Sequence, residues 1–227
     1  MTWCRDFRFE SSCGLLVGWD SRTSKTCRKG AVILFGIDEH LASILFKLDE
    51  QTFLHCKRTR DLAIQLGQRM GLDSTQLQLL GLGALLHDVG KIAIPLTVLN
   101  KKTPLTAAEW SIIQQHPVLG FAMIRSLPLH IIVKKIVLEH HRWSDGKGGY
   151  PQELGFSPPP LMVQIVSIAD VVDAMTSPRS YRPAQSMSSC LRYITENLGS
   201  RFSSELFQEL QLVVKEWKSH CSLHAGR

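Results

Sequence analysis

The chain has 227 residues, 44% of them hydrophobic and 20% charged, with a formal net charge of +6 at pH 7. This composition excludes disorder of the chain as a whole and suits one large domain. The longest apolar run, Ala31 to Ile37, falls far short of the roughly 18 residues that a membrane span needs. The basic balance suits an anionic partner, but no dense lysine and arginine block reads as a nucleic-acid arm, so no DNA or RNA partner is expected. Met1 to Glu10 carry Arg5, Asp6, Arg8 and Glu10 with no apolar segment of a secretory signal behind them. The six cysteines lack C-x-x-C or framework spacing, and a cytoplasmic location is the expectation.

In chain order, residues 1–30 mix Ser, Thr, Gly, Cys and basic side chains without a period, and read as a poorly ordered N-terminal extension to a domain at 31–227. Leu41, Ile44, Leu45 and Leu48 share one helix face, as do Leu62, Leu66 and Met70. Gly71 stops that helix, Asp73 or Ser74 caps the next, and Leu77, Leu80, Ala84 and His87 carry it to Gly90 and Pro95. Thr106 and Glu109 form a capping-box pattern for a helix to about Gln115, and Pro117 suits the first turn of another to about Ser126. A strongly apolar helix spans Ile131 to His141. The glycine-rich run from Asp145 to Pro151 is a loop, and Leu161 to Met175 follows three prolines. Helical patterns at 186–198 and 203–219 complete an all-α domain of about eight helices, with no alternating strand pattern.

Histidines and acids stand at the ends of these helices. His87 and Asp88 close one helix, His140 and His141 close another, His55 and His116 lie in or at the ends of two more, and Asp170 sits within a late helix. Imidazole with carboxylate suits Fe, Mn, Zn or Ni, whereas magnesium prefers oxygen alone. Read singly, each of these residues also suits a helix cap or a satisfied core side chain.

Several linked motifs point further. Leu85 to Pro95, with His87-Asp88-Val89-Gly90-Lys91-Ile92, resembles the HDxGKIxIP signature of the HD-GYP family, the cyclic di-GMP phosphodiesterases among the HD metal-dependent phosphohydrolases. His140-His141 followed by Asp145 to Pro151 resembles the family's HHExxDGxGYP segment. Asp49, Thr52, His55 and Arg58 resemble its DxxTxxHSxRV opening, and Leu99 to Trp110 with His116-Pro117 resembles its LxKPGxLTxEEW stretch. Ile168 to Ser177 resembles its IADVYDALTS helix, with Arg179, Tyr181 and Arg182 after it.

The resemblance implies an HD-domain helical bundle that holds two divalent transition metals, Fe or Mn foremost, on His55, His87, Asp88, His116, His140, His141 and Asp170. It implies hydrolysis of cyclic di-GMP to linear pGpG by a metal-bridged hydroxide, with Asp88 as bridge. Lys91, Tyr150, Arg179 and Arg182 would contact substrate. It also implies a GGDEF-type cyclase as a partner at the GYP loop. An HD phosphohydrolase for another nucleotide, cyclic or not, and a catalytically weak cyclic di-GMP receptor or docking module are the alternatives. The chain departs from the family at Arg142, where Glu is usual, and in one extra residue before Tyr150. These changes are expected to affect loop geometry more than metal binding. Gln51, where some members place a third-metal Glu, favours two metals and pGpG as product.

Overall fold

Asp73 shows how local chemistry sets the helices: its carboxylate accepts a hydrogen bond from the Gln76 N–H at 2.8 Å, and its own N–H donates to the Gln76 side-chain oxygen at 2.9 Å. The computed structural model describes residues 39–178 and 183–224. The extension 1–30, the domain start at 31, Arg179 and Arg182 lie outside the described residues. Within them the chain forms α1 (Glu39–Leu45), α2 (Glu50–Arg69), α3 (Ser74–Leu86), a 3₁₀ turn (Val89–Ala93), α4 (Leu96–Leu99) and α5 (Ala107–Ile113). Then follow α6 (His116–Ile124), α7 (Ile131–Glu139), a 3₁₀ turn (Gln152–Leu154), α8 (Leu161–Thr176), α9 (Met187–Glu196) and α10 (Ser204–His224). The fold is all-α, and only isolated β-bridges occur among the described residues.

The expected caps are present. Asp49 accepts from the Thr52 N–H at 3.0 Å to start α2. Thr106 and Glu109 close their capping box at α5, and Pro117 occupies the first turn of α6. Two features differ from the sequence expectation. A one-turn helix, α4, lies in a stretch too short to show a period. The helix expected to reach Gly90 instead ends at Leu86, and the chain tightens into a 3₁₀ turn. That turn packs on α6 so closely that a Cβ on Gly90 would stand 1.9 Å from the His116 carbonyl oxygen, so only glycine fits.

Two clusters of buried side chains meet around α3 and α7. One joins Leu66 of α2, Leu80 of α3, Ile165 and Ile168 of α8, Ile194 of α9 and Leu210 of α10. The other joins Leu41, Leu86, Ile124 and Val137. Each fully buried Leu or Ile contributes roughly 1.5–3 kcal/mol. Trp217 of α10 donates its indole N–H to Gln65 of α2 at 3.1 Å, and Arg69 pairs with Glu209 and Glu216, which fastens the last helix across the first long one. From Val163 to Asp173 α8 is buried on nearly every side, the pattern of a central helix. Its buried polar residues, Ser167, Asp170 and Asp173, are therefore exceptions that need partners. No helix among the described residues is long and apolar enough to cross a membrane.

Candidate metal centre

The chain ends of α3, α6 and α7 and the middles of α2 and α8 converge on one buried point. His55 comes from α2, His87 caps α3 with Asp88 after it, His116 opens α6, His140 caps α7 with His141 after it, and Asp170 faces them from α8. His87 Nε2 lies 3.4 Å from Asp88 Oδ2, His116 Nε2 3.2 Å from Asp88 Oδ1, and His55 Nε2 3.0 Å from Asp170 Oδ1. His141 Nδ1 is 3.9 Å from Asp170 Oδ2, and its ring centroid is 4.1 Å from that of His140. All seven residues expected as ligands thus stand together. His55, His87, His116, His140, Asp88 and Asp170 are buried, and His141 is half-buried.

The tautomers are fixed from behind. His87 donates Nδ1–H to the Ala84 carbonyl at 2.7 Å, His116 to Ile113 at 2.8 Å, and His140 to Ile136 and Val137 at 3.2 and 3.1 Å. A carbonyl only accepts, so each Nδ1 carries a proton, and Nε2 is the atom left to offer a lone pair to the centre. His55 Nδ1 lies 2.7 Å from Asp173 Oδ2, the carboxylate–histidine arrangement that orients metal ligands. Arg58 in turn donates to Asp173 at 2.5 and 3.0 Å.

The electrostatics agree with a ligand set. Burial above all pushes His116 down to about 4 and holds His140 and His141 well below the usual histidine value, so these rings are neutral near pH 7. Burial works against the charge of Asp88 and Asp170. Lys91 and His87 nevertheless hold Asp88 well below the usual carboxylate range, and His55 does the same for Asp170. Burial also opposes protonation of His87, but Asp88 and Cys56 beside it raise the ring above its ordinary value, so metal binding there must release a proton.

The donors fit divalent metal. His55 Nε2 and His87 Nε2 are fully enclosed without a hydrogen-bond partner, and both face carboxylate oxygens. His116 Nε2 and His140 Nε2 face each other at 3.1 Å, and two such lone pairs suit a shared cation rather than a hydrogen bond. Potential ligand atoms of His116, His140 and His141 group within 4.8 Å of one another, as do those of His55, His87 and Asp170 and those of Cys56, His87 and Asp88.

Around this centre, Lys91 Nζ sits 2.5 Å from Asp88 Oδ2. The Tyr150 ring lies 4.5 Å from His141 and 6.3 Å from His116, on the loop that Gly149 turns at φ 84°. Arg142 is built into that loop. It is buried, pairs with Glu139 at 3.0 Å and donates to the carbonyls of Gly155 and Ser157 at 2.6 and 2.9 Å. The sequence reading gave no role to Asp173, although it lies in the quoted IADVYDALTS-like stretch. The i,i+3 spacing of Asp170 and Asp173 on an apolar helix was the available signal.

The sequence profile of the HD domain family matches residues 39–206. The chain is similar to the cyclic di-GMP phosphodiesterase response regulator RpfG of Xanthomonas campestris pv. campestris, with 34% identity covering 71% of this chain and 43% of that protein. It is also similar to the 3′3′-cGAMP-specific phosphodiesterase 2 of Vibrio cholerae, with 29% identity covering 82% of this chain and 35% of that protein. The chain spans half or less of the length of these curated relatives. Among solved structures, an HDG"Y"P protein from Bdellovibrio bacteriovorus superposes with a TM-score of 0.61 at 20% identity, covering 78% of this chain and 58% of that one.

Proposed function

Because this chain belongs to the HD domain family, we propose that the centre built by α2, α3, α6, α7 and α8 hydrolyses a phosphodiester bond of a cyclic dinucleotide, cyclic di-GMP to linear pGpG. The observation that carries this reading is the inward set of histidine Nε2 atoms, each tied back through Nδ1, around the ionised Asp88 and Asp170. Two transition metals, Fe or Mn, would be held by His55, His87, Asp88, His116, His140, His141 and Asp170. Bound there, they supply Lewis acidity toward a phosphoryl oxygen and acidify water.

The protein's own groups do the rest. Lys91 places a compact cation beside Asp88, where it neutralises charge on the phosphoryl oxygens. Tyr150 covers His141 and shields the centre from bulk water, its hydroxyl kept protonated by burial. Asp173 and Arg58 hold His55 in register. Arg179 and Arg182 are assigned the substrate phosphates on the motif resemblance alone, and a cytoplasmic location and a GGDEF-type cyclase at the glycine loop belong to the same proposal. Gln51, exposed one turn before His55, offers no third carboxylate, which favours pGpG over GMP as the end product.

Chromatography of the reaction of the Mn- or Fe-loaded chain with cyclic di-GMP tests the reading. Accumulation of pGpG supports it, and rapid GMP release without pGpG contradicts the two-metal assignment. Tight binding without turnover would replace the enzyme by a receptor. Similarity to the Vibrio cholerae enzyme named for 3′3′-cGAMP makes that compound the second substrate to assay.

A further inference from the structure

One helical turn past Asp170 on α8, Ala174 lies on the same face of the helix and begins a cleft of about 640 Å³. Met175 lines it too, together with Ser189, Arg192 and Tyr193 of α9 and Trp110 of α5. Hydrogen bonds tie one side of the cleft to the loop beside the metal centre. Arg201, on its lining, belongs to a turn stitched to the glycine loop: the Ser144 N–H donates to the Arg201 carbonyl at 3.2 Å, and the Ser144 hydroxyl and Asp145 N–H donate to the Ser200 carbonyl, both at 3.0 Å. The same loop carries Tyr150 to His141, and the Arg201 charge reaches the Tyr150 phenol.

The chemistry of the cleft is that of a nucleotide site. Arg201 is held in place before any ligand arrives, donating Nη1–H to the Tyr193 hydroxyl at 2.7 Å, with its guanidinium carbon 5.8 Å from the Tyr193 ring centre and 5.3 Å from that of Phe202. Arg192 adds a second, exposed cation, and the fork of a guanidinium suits phosphate oxygens. Trp110 is 48% exposed, an aromatic face available for stacking on a base. Gln185 offers an amide to the edge of that base. Glu196 on the same lining offsets part of the positive charge, so the cleft favours a nucleotide whose base carries donors over a bare phosphate.

We propose that this cleft seats the half of a cyclic dinucleotide that is not being cleaved, with its phosphate on Arg201 and Arg192 and its purine against Trp110. The inference rests on the phosphodiesterase reading for the identity of the ligand, but it is separable from it by experiment. Binding of cyclic di-GMP to the metal-loaded full chain is measured by rapid filtration, with turnover followed in parallel by chromatography. R201M, R192Q and W110A should each weaken binding about tenfold or more, raising KM far more than they lower kcat, because a remote contact is made equally in the ground and transition states. K135Q, an exposed cation elsewhere, should bind as wild type does. R192Q and W110A alter exposed side chains and serve if R201M fails to fold, which circular dichroism reports. Wild-type affinity in folded R192Q and W110A overturns the cleft assignment even if turnover is intact. Binding that is lost in these variants but never leads to turnover in wild type upholds the cleft and removes the enzyme. Absence of any binding by wild type overturns the cleft as well.

Discussion

Loss of Arg142, outside the proposed ligands, should cost the fold heavily. Its guanidinium is 4% exposed, 3.0 Å from Glu139 Oε2, and within 2.6 and 2.9 Å of two loop carbonyls. R142M keeps most of the volume but strands the Glu139 carboxylate, itself only 10% exposed, and leaves the Gly155 and Ser157 carbonyls without this donor. Breaking one side of a buried pair costs about 3–5 kcal/mol, most of it the penalty of an uncompensated charge. For a domain of this size that is a fall in Tm of about 6–20 °C. E139L/R142M removes both charges and should recover most of the loss, since the pair as a whole is worth little against an apolar replacement. Thermal melts of the wild type, R142M and E139L/R142M, followed by far-UV circular dichroism, measure all three. A loss below about 1 kcal/mol in R142M, or no recovery in the double variant, would refute the clamp.

Three further outcomes are expected. D173N leaves His55 without its carboxylate and should weaken metal binding about 10–100-fold in chelator competition, with Arg58→Lys milder; unchanged affinity would show that Asp173 only packs. K91A should lower turnover at least about tenfold, roughly 1.5 kcal/mol, while elemental analysis finds the metal content unchanged. Chelator-treated protein should lose stability as pH falls from about 6.5 toward 4. His116 takes up its proton at about 4 in the fold and near 6.5 when unfolded, so the unfolded chain binds more protons in that window. That gap corresponds to roughly 3 kcal/mol. His140 and His141 act in the same direction, His87 in the opposite one, and a flat urea midpoint across this range would show that the rings are not buried neutral.

Much of the site is readable in the chain because most of its proposed ligands sit at helix ends, where local signals are strongest. His87 follows the last residue of α3, His116 opens α6 beside Pro117, and His140 caps α7. The same placement explains the fixed tautomers: each Nδ1–H reaches a carbonyl three or four residues back, one of those that a terminating helix leaves without a partner. What spacing cannot show is contact across the fold. Asp173 meets His55 from 118 residues away, and nothing local to either residue announces the pairing. Nor does composition reveal the cleft, since Trp110, Tyr193 and Arg201 lie on three separate segments, and its aromatic and basic residues read one by one as ordinary surface.

The departures from the family pattern are explained by the same long-range contacts. Glu after the histidine pair is replaced by Arg142, and the loop beyond it is one residue longer. Taken alone, each change threatens the position of Tyr150. Together they are coherent. Arg142 forms an isolated bridge with Gly149, whose added Cβ would come within 2.1 Å of the His141 carbonyl, so the returning arm of the loop lies directly against His141. The Arg142 guanidinium anchors the far side of the loop at Gly155 and Ser157, with its charge balanced by Glu139 one turn earlier. A glutamate at position 142 could not do this, because a carboxylate has no proton to give a carbonyl at neutral pH and would face Glu139 as a like charge.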